Sequence, residues 1–185
     1  MSILILGLLI FFGMHLIPSF AGFRRMIISK TGEKRYKVIY SIFSLLGIIL
    51  IIYGMSIATF QPIWNPPVWS KNVVIITMPL SFYLFAAADM KSNIKRFFRH
   101  PMLLGATLWS GTHLLANGDL AAILLFGSFC AFSLFGIFSA NMRGAAKQEK
   151  VYPFTRDAAT VLASLVAYGI FVLYIHPHLI GAPII

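Results

Sequence analysis

The stretch Arg99-His100-Pro101-Met102-Leu103-Leu104-Gly105-Ala106-Thr107-Leu108-Trp109-Ser110-Gly111-Thr112-His113-Leu114-Leu115-Ala116-Asn117-Gly118-Asp119 decides how the chain folds. It holds two of the five histidines, a tryptophan and three glycines inside an otherwise apolar run. A bilayer span needs about 20 residues, with a range of roughly 17–25. The run 101–116 is marginal by that measure, so its flanks decide. Lys91, Lys95, Arg96 and Arg99 precede it, and the next basic residue is Arg143. Such asymmetry is expected when the basic end of a helix is held on one side of a membrane.

Composition supports the same setting. Hydrophobic residues make up 59% of the chain and charged residues 11%, against about 45–50% and about 25% in soluble domains. Water alone cannot solvate so apolar a chain, so a bilayer is required. Lys and Arg outnumber Asp and Glu by 15 to 5. The cations sit in short loops between apolar runs, which makes them topology signals and contacts for anionic lipid on the cytoplasmic side, and no nucleic-acid partner is expected. The lone Cys130 allows neither an internal disulfide nor a cysteine zinc site. No basic residue precedes the first apolar run, so that run is expected to remain as a span and not to act as a cleaved signal.

Apolar runs occupy residues 3–23, 38–60, 73–88, 101–116, 120–140 and 158–175. All Lys and Arg except Lys71 fall after the first, third and fifth runs. The positive-inside rule makes these loops cytoplasmic. Parity then requires the short third and fourth runs to cross. The expected fold is all-α: a polytopic membrane helix bundle of six transmembrane helices in one domain, residues 1–185, with both termini outside.

The loop around Trp64 and Trp69 is expected at the outer headgroup level. Asn117-Gly118-Asp119 reads as a tight turn, with Gly118 supplying positive φ and Asp119 capping the next helix. Pro79 is expected to kink its helix or free a carbonyl. Ala106/Ser110, Thr107/Gly111 and Gly127/Ala131 are small residues at a spacing that favours close helix approach.

Ionisable groups at membrane depth are candidate functional residues. His15 lies ~18 Å into the first helix, toward the cytoplasmic face. His100 begins the fourth helix, where Pro101 fits the first helical position. A helix N-terminus favours the neutral imidazole that a metal needs. His113 lies ~20 Å further along that helix, so it cannot share one iron with His100. His176 and His178 end the last run. The pairings left open are His15 with His100 on the inside, or His113, in the outer leaflet, with His176 or His178 on the outside. Arg96 and Arg99, with Lys95, are candidate partners for haem propionates. No P-loop, dinucleotide fingerprint or zincin motif is present.

Gly13-Met14-His15-Leu16-Ile17-Pro18, Arg99-His100-Pro101-Met102-Leu103, His113-Leu114-Leu115-Ala116-Asn117-Gly118-Asp119 and His176-Pro177-His178-Leu179-Ile180-Gly181 resemble, in this order, the NnrU family. That resemblance implies a bacterial inner-membrane protein linked to denitrification. The family is similar to the plastid 15-cis-ζ-carotene isomerase, which implies haem b held by histidine and a hydrophobic polyene as substrate. On that reading His15 and His100 hold the iron, Arg96 and Arg99 help bind the haem, and His113 acts elsewhere in a redox-gated, isomerase-like site. Arg99-His100-Pro101 followed by Gly105 also resembles isoprenylcysteine carboxyl methyltransferases, which implies S-adenosylmethionine as an alternative. A non-catalytic membrane partner or regulator of nitrogen-oxide metabolism is the other alternative.

Overall fold

The structure is a computed structural model, described here for residues 1–180, with the side chains of Leu179 and Ile180 left aside. Gly181, the last residue of the terminal motif, lies outside the described residues. The chain forms α1 (Ser2–Leu16), α2 (Ala21–Thr31), α3 (Glu33–Ser56), α4 (Ser70–Asp89), α5 (Ile94–Phe97), α6 (Pro101–Ala116), α7 (Leu120–Met142), α8 (Phe154–Ile170) and α9 (His176–Ile180). A 3₁₀ turn, Ile17–Ser19, follows α1, and a π-helical turn, Phe171–Ile175, joins α8 to α9. An all-helical chain is what a bilayer demands, because its backbone groups can bond only to one another there.

Among the described residues five stretches are long and apolar enough to cross a membrane: Ser2–Ser19, Glu33–Ser56, Ser70–Asp89, Leu120–Met142 and Phe154–His178. The helix α6 has 16 residues, or ~24 Å at 1.5 Å per residue, short of a hydrocarbon core of about 30 Å. It packs along both α4 and α7.

Two boundaries differ from the sequence reading. The first helix stops at Leu16, where the Ile17–Ser19 turn containing Pro18 follows. The basic stretch after it is a second helix rather than a loop. Its Arg24, Arg25 and Lys30 accompany exposed Phe23 and Met26, a mixed composition that hydropathy alone scores as non-spanning. Gly32, at φ +80°, separates α2 from α3, in a backbone region that glycine enters without steric cost.

Neighbouring helices pack in the order α3, α1, α7, α6, α4, α8. The core joins Leu4 and Leu8 of α1 to Ile51 of α3 and Ala121 of α7, with Phe11, Phe12 and Phe129 against it. The outward residues Val38, Ile42, Leu45, Ile49 and Ile52 of α3 are exposed, and their spacing makes one apolar face for lipid. Close approach of α1 and α3 depends on Gly7, Gly47 and Gly54: a Cβ on Gly7 would stand 2.7 Å from the Ile51 nitrogen, and one on Gly47 2.9 Å from the Phe11 nitrogen. The small residues singled out from the sequence behave unevenly. Thr107 bonds Ser133 across the α6–α7 interface at 2.8 Å, whereas a Cβ at Gly111 or Gly127 would meet open space. Between α6 and α4, the Ser81 hydroxyl donates to the Gly105 carbonyl at 2.7 Å. The helix α4 runs unbroken through Pro79, which deprives the Ile75 carbonyl of its usual donor.

The loops at one end are joined. Ile63 and Trp64 donate their N–H groups to the Gly118 carbonyl at 2.8 and 3.1 Å, and Leu120 donates to Gln61 at 2.9 Å. Asp119 caps α7 by accepting from the Ala122 N–H at 3.1 Å. Positive φ is not the reason for Gly118, since among the described residues only Gly32 and Gly144 adopt it. Gly118 is required because a Cβ there would run into the Trp64 carbonyl.

The opposite end is clamped by Asn93 and Asp157. The Asp157 carboxylate accepts from the Asn93 backbone N–H at 2.7 Å and from its side-chain amide at 2.6 Å. Asn93 also donates to the Tyr152 carbonyl and accepts from the Tyr152 N–H, both at 2.9 Å. This network ties the start of α8 to the segment after α4.

Candidate functional site

His15 is half-buried near the C-terminal end of α1. Its Nδ1 lies 2.8 Å from the Phe11 carbonyl. A carbonyl only accepts, so Nδ1 donates, and in the neutral ring Nε2 keeps its lone pair. The imidazole stacks on Phe11 at 4.0 Å and contacts Tyr40 of α3 and Phe132 of α7 at 5.2 and 6.1 Å.

His113 repeats this arrangement on α6. Its Nδ1 donates to the Trp109 carbonyl at 2.8 Å, and its own carbonyl accepts from Asn117 at 2.8 Å. Its ring packs on Phe126 of α7 at 4.7 Å and on Trp109 at 5.6 Å. Metal-binding histidines characteristically donate their other ring N–H to such an oxygen, which fixes tautomer and orientation. Both rings therefore present the nitrogen a metal uses.

Phe129 of α7 connects the two. It lies 5.5 Å from Phe11 and 5.2 Å from Trp109, centroid to centroid. The result is a continuous series of ring contacts, His15–Phe11–Phe129–Trp109–His113, across three helices. Phe11 and Phe129 carry no sequence signal beyond hydrophobicity. The recurrence of an aromatic four residues before histidine, at Phe11/His15 and Trp109/His113, was the available clue.

His100 lies elsewhere. It occupies the N-cap position of α6 without a side-chain cap bond. Its Nε2 bonds instead to Asn141 Oδ1 at 3.1 Å, where Arg99 also donates at 3.4 Å. The structure does not bring His15 and His100 together. Their α7 neighbours, Phe132 and Asn141, are nine residues apart. That is ~13.5 Å along the helix and about two and a half turns, which puts them on opposite faces. By the same measure the α7 neighbours of His15 and His113, Phe132 and Phe126, stand six residues apart, ~9 Å along the helix.

Of the alternative partners for His113, His176 packs its ring 6.0 Å from that of Phe171. The His176 Nδ1 is buried without a hydrogen-bond partner among the described residues. His178 is exposed and donates to the Tyr174 carbonyl at 2.5 Å. Arg96 is exposed on α5, while Arg99 and His100 line two clefts. One is about 270 Å³, with Lys95, Pro101 and Met102. The other is about 210 Å³, with Phe97, Leu104, Asn141 and Lys147.

Among the described residues no three His, Cys, Asp or Glu side chains converge as a metal-binding group. A metal bound here would need most of its ligands from its own macrocycle.

No curated protein and no solved structure matches the chain. A family profile described as NnrU protein matches residues 3–184. With that match covering nearly its full length, this helical, membrane-compatible chain belongs to the NnrU family.

Proposed function

We propose that this chain is a haem b protein of the bacterial inner membrane, in which the Nε2 atom of His15 is the iron's protein ligand. The observation that carries this reading is the His15 Nδ1–H bond to the Phe11 carbonyl, which fixes a tautomer with Nε2 free to coordinate. The donor set fits the group: a haem brings four nitrogens and can be held by one imidazole, whereas a bare ion needs more. Phe11, Tyr40 and Phe132 offer flat, apolar surfaces beside that ring. His113, on the other flank of α7 beyond Phe129 and Trp109, acts elsewhere.

In this reading α6 crosses with the five longer spans, giving six crossings and outward termini, because the basic loops then share the cytoplasmic side. The backbone carbonyl of Phe11 holds the His15 ring in its coordinating tautomer. The surrounding aromatics exclude water, and a single protein ligand would leave the iron open to an apolar substrate such as a polyene. Bound haem b would supply a redox-switchable Lewis-acid iron for isomerase-like or nitrogen-oxide-linked chemistry.

The test is the absorption spectrum and pyridine haemochrome of detergent-purified protein expressed with ample haem. A Soret band at near-stoichiometric haem b is expected. Its absence would overturn the reading and leave a non-catalytic membrane partner as the function.

A further inference from the structure

The two clefts at the start of α6 meet at Arg99 and His100. Three cations line them: Lys95 in one, Lys147 in the other and Arg99 in both. No acidic residue lines either cleft. Among the described residues the one ion pair is Lys37 with Glu33, far along the chain. The acids with identified partners are committed elsewhere, Asp119 to the α7 cap and Asp157 to Asn93. Asp89 and Glu149 lie near these cations in sequence, yet among the described residues Lys95, Arg99 and Lys147 form no ion pair with either. Arg99 spends one N–H on Asn141 at 3.4 Å, leaving the rest of its five donors.

The walls are apolar and continuous with the outer surface. Phe97 is 65% exposed and Met102 49% exposed, while Leu104 and Ile137 form the deeper lining of the second cleft. Cations beside an outward apolar wall match an amphiphile with an anionic head.

We propose that the Lys95–Arg99–Lys147 cleft seats the phosphodiester headgroup of an anionic lipid, with an acyl chain along Leu104 and Ile137. The guanidinium of Arg99 suits a phosphate geometrically, and the two lysines add point charges. Asn141 holds His100 and Arg99 in place from the last turn of α7, so the seat spans the α6–α7 junction. This site is separate from His15 and stands or falls independently of the haem reading.

The experiment is native mass spectrometry of the full chain in detergent with added phosphatidylglycerol, phosphatidylcholine or inorganic phosphate. The expected result is a retained phosphatidylglycerol adduct in about tenfold preference over phosphatidylcholine, the gain expected from about 1.4 kcal/mol of charge-assisted contact. The double change Arg99→Gln/Lys147→Gln should remove that preference. The change Arg25→Gln/Lys30→Gln, on α2 outside the cleft, should not. Equal retention of both lipids would overturn the proposal, as would equal loss in both double variants, which marks general surface charge. Complete displacement by inorganic phosphate would also overturn it, in favour of a site for the free anion. All four residues are charged surface positions, and an unchanged melting temperature verifies folding.

Discussion

His15 and His113 make the same bond in two places: each Nδ1 donates at 2.8 Å to the carbonyl four residues before it. They do so on α1 and α6, which both pack against α7. Each bond fixes a tautomer and frees Nε2. Phe11, Phe129 and Trp109 stand between the two rings, so the two free nitrogens serve different surroundings. His15→Ala should lower haem affinity by more than the roughly 10–100-fold that loss of an outer-shell partner costs. His113→Ala should not. Haem titration followed by absorbance checks this, and a haem loss confined to His113→Ala or His100→Ala would reverse the assignment.

Gly118 is held under the Trp64 backbone, where a Cβ would collide with the carbonyl. Gly118→Ala should separate the two loops and break the bonds from Ile63 and Trp64. Overpacking of this kind costs about 1–3 kcal/mol. The measurement is thermal unfolding in detergent. A melting temperature equal to wild type would mean the loops are not held in this contact.

At the other end, Asp157 accepts two bonds from Asn93, at 2.7 and 2.6 Å. Asp157→Asn replaces one accepting oxygen with a donor that faces the Asn93 amide. Both Asp157→Asn and Asp157→Ala should therefore destabilise, by about 1–3 kcal/mol for partners left unsatisfied. Limited proteolysis within residues 143–153 should accelerate in both. An unchanged cleavage rate would show that the clamp does not restrain that segment.

Within the bundle, packing should outweigh hydrogen bonding. Ser81→Ala removes the 2.7 Å bond to Gly105, and such bonds in membranes average about 0.6 kcal/mol. Gly7→Leu places a whole side chain where even a Cβ would be 2.7 Å from the Ile51 nitrogen, and should cost at least the ~1–3 kcal/mol of overpacking. Unfolding in mixed micelles should rank Gly7→Leu as clearly the more damaging. The reverse order would mean α1 and α3 are not in close contact.

The sequence carried the helical class because hydrophobicity and the placement of Lys and Arg are local properties. It also marked Asp119 as a cap, since Asp before a helix has a short-range mechanism. It did not reveal α2, because Phe23 and Met26 interleaved with Arg24 and Arg25 score as a polar loop. Gly118 was singled out for the wrong physical reason, because the approach of Trp64 involves a partner 54 positions away in sequence. The neighbours of each histidine on α7 were not legible for a similar reason. Depth along a helix can be estimated from residue counts, but the face it presents to α7 cannot. Phe132 and Asn141 supply that information only after the helices are assembled. The Asn93–Asp157 clamp joins residues 64 apart and leaves no local pattern.

Electron paramagnetic resonance of the ferric, haem-loaded protein tests ligation by one imidazole most directly. The wild type should give a high-spin signal that is lost with the haem in His15→Ala and kept in His113→Ala. A low-spin wild type, or a signal unchanged in His15→Ala, would contradict ligation by His15.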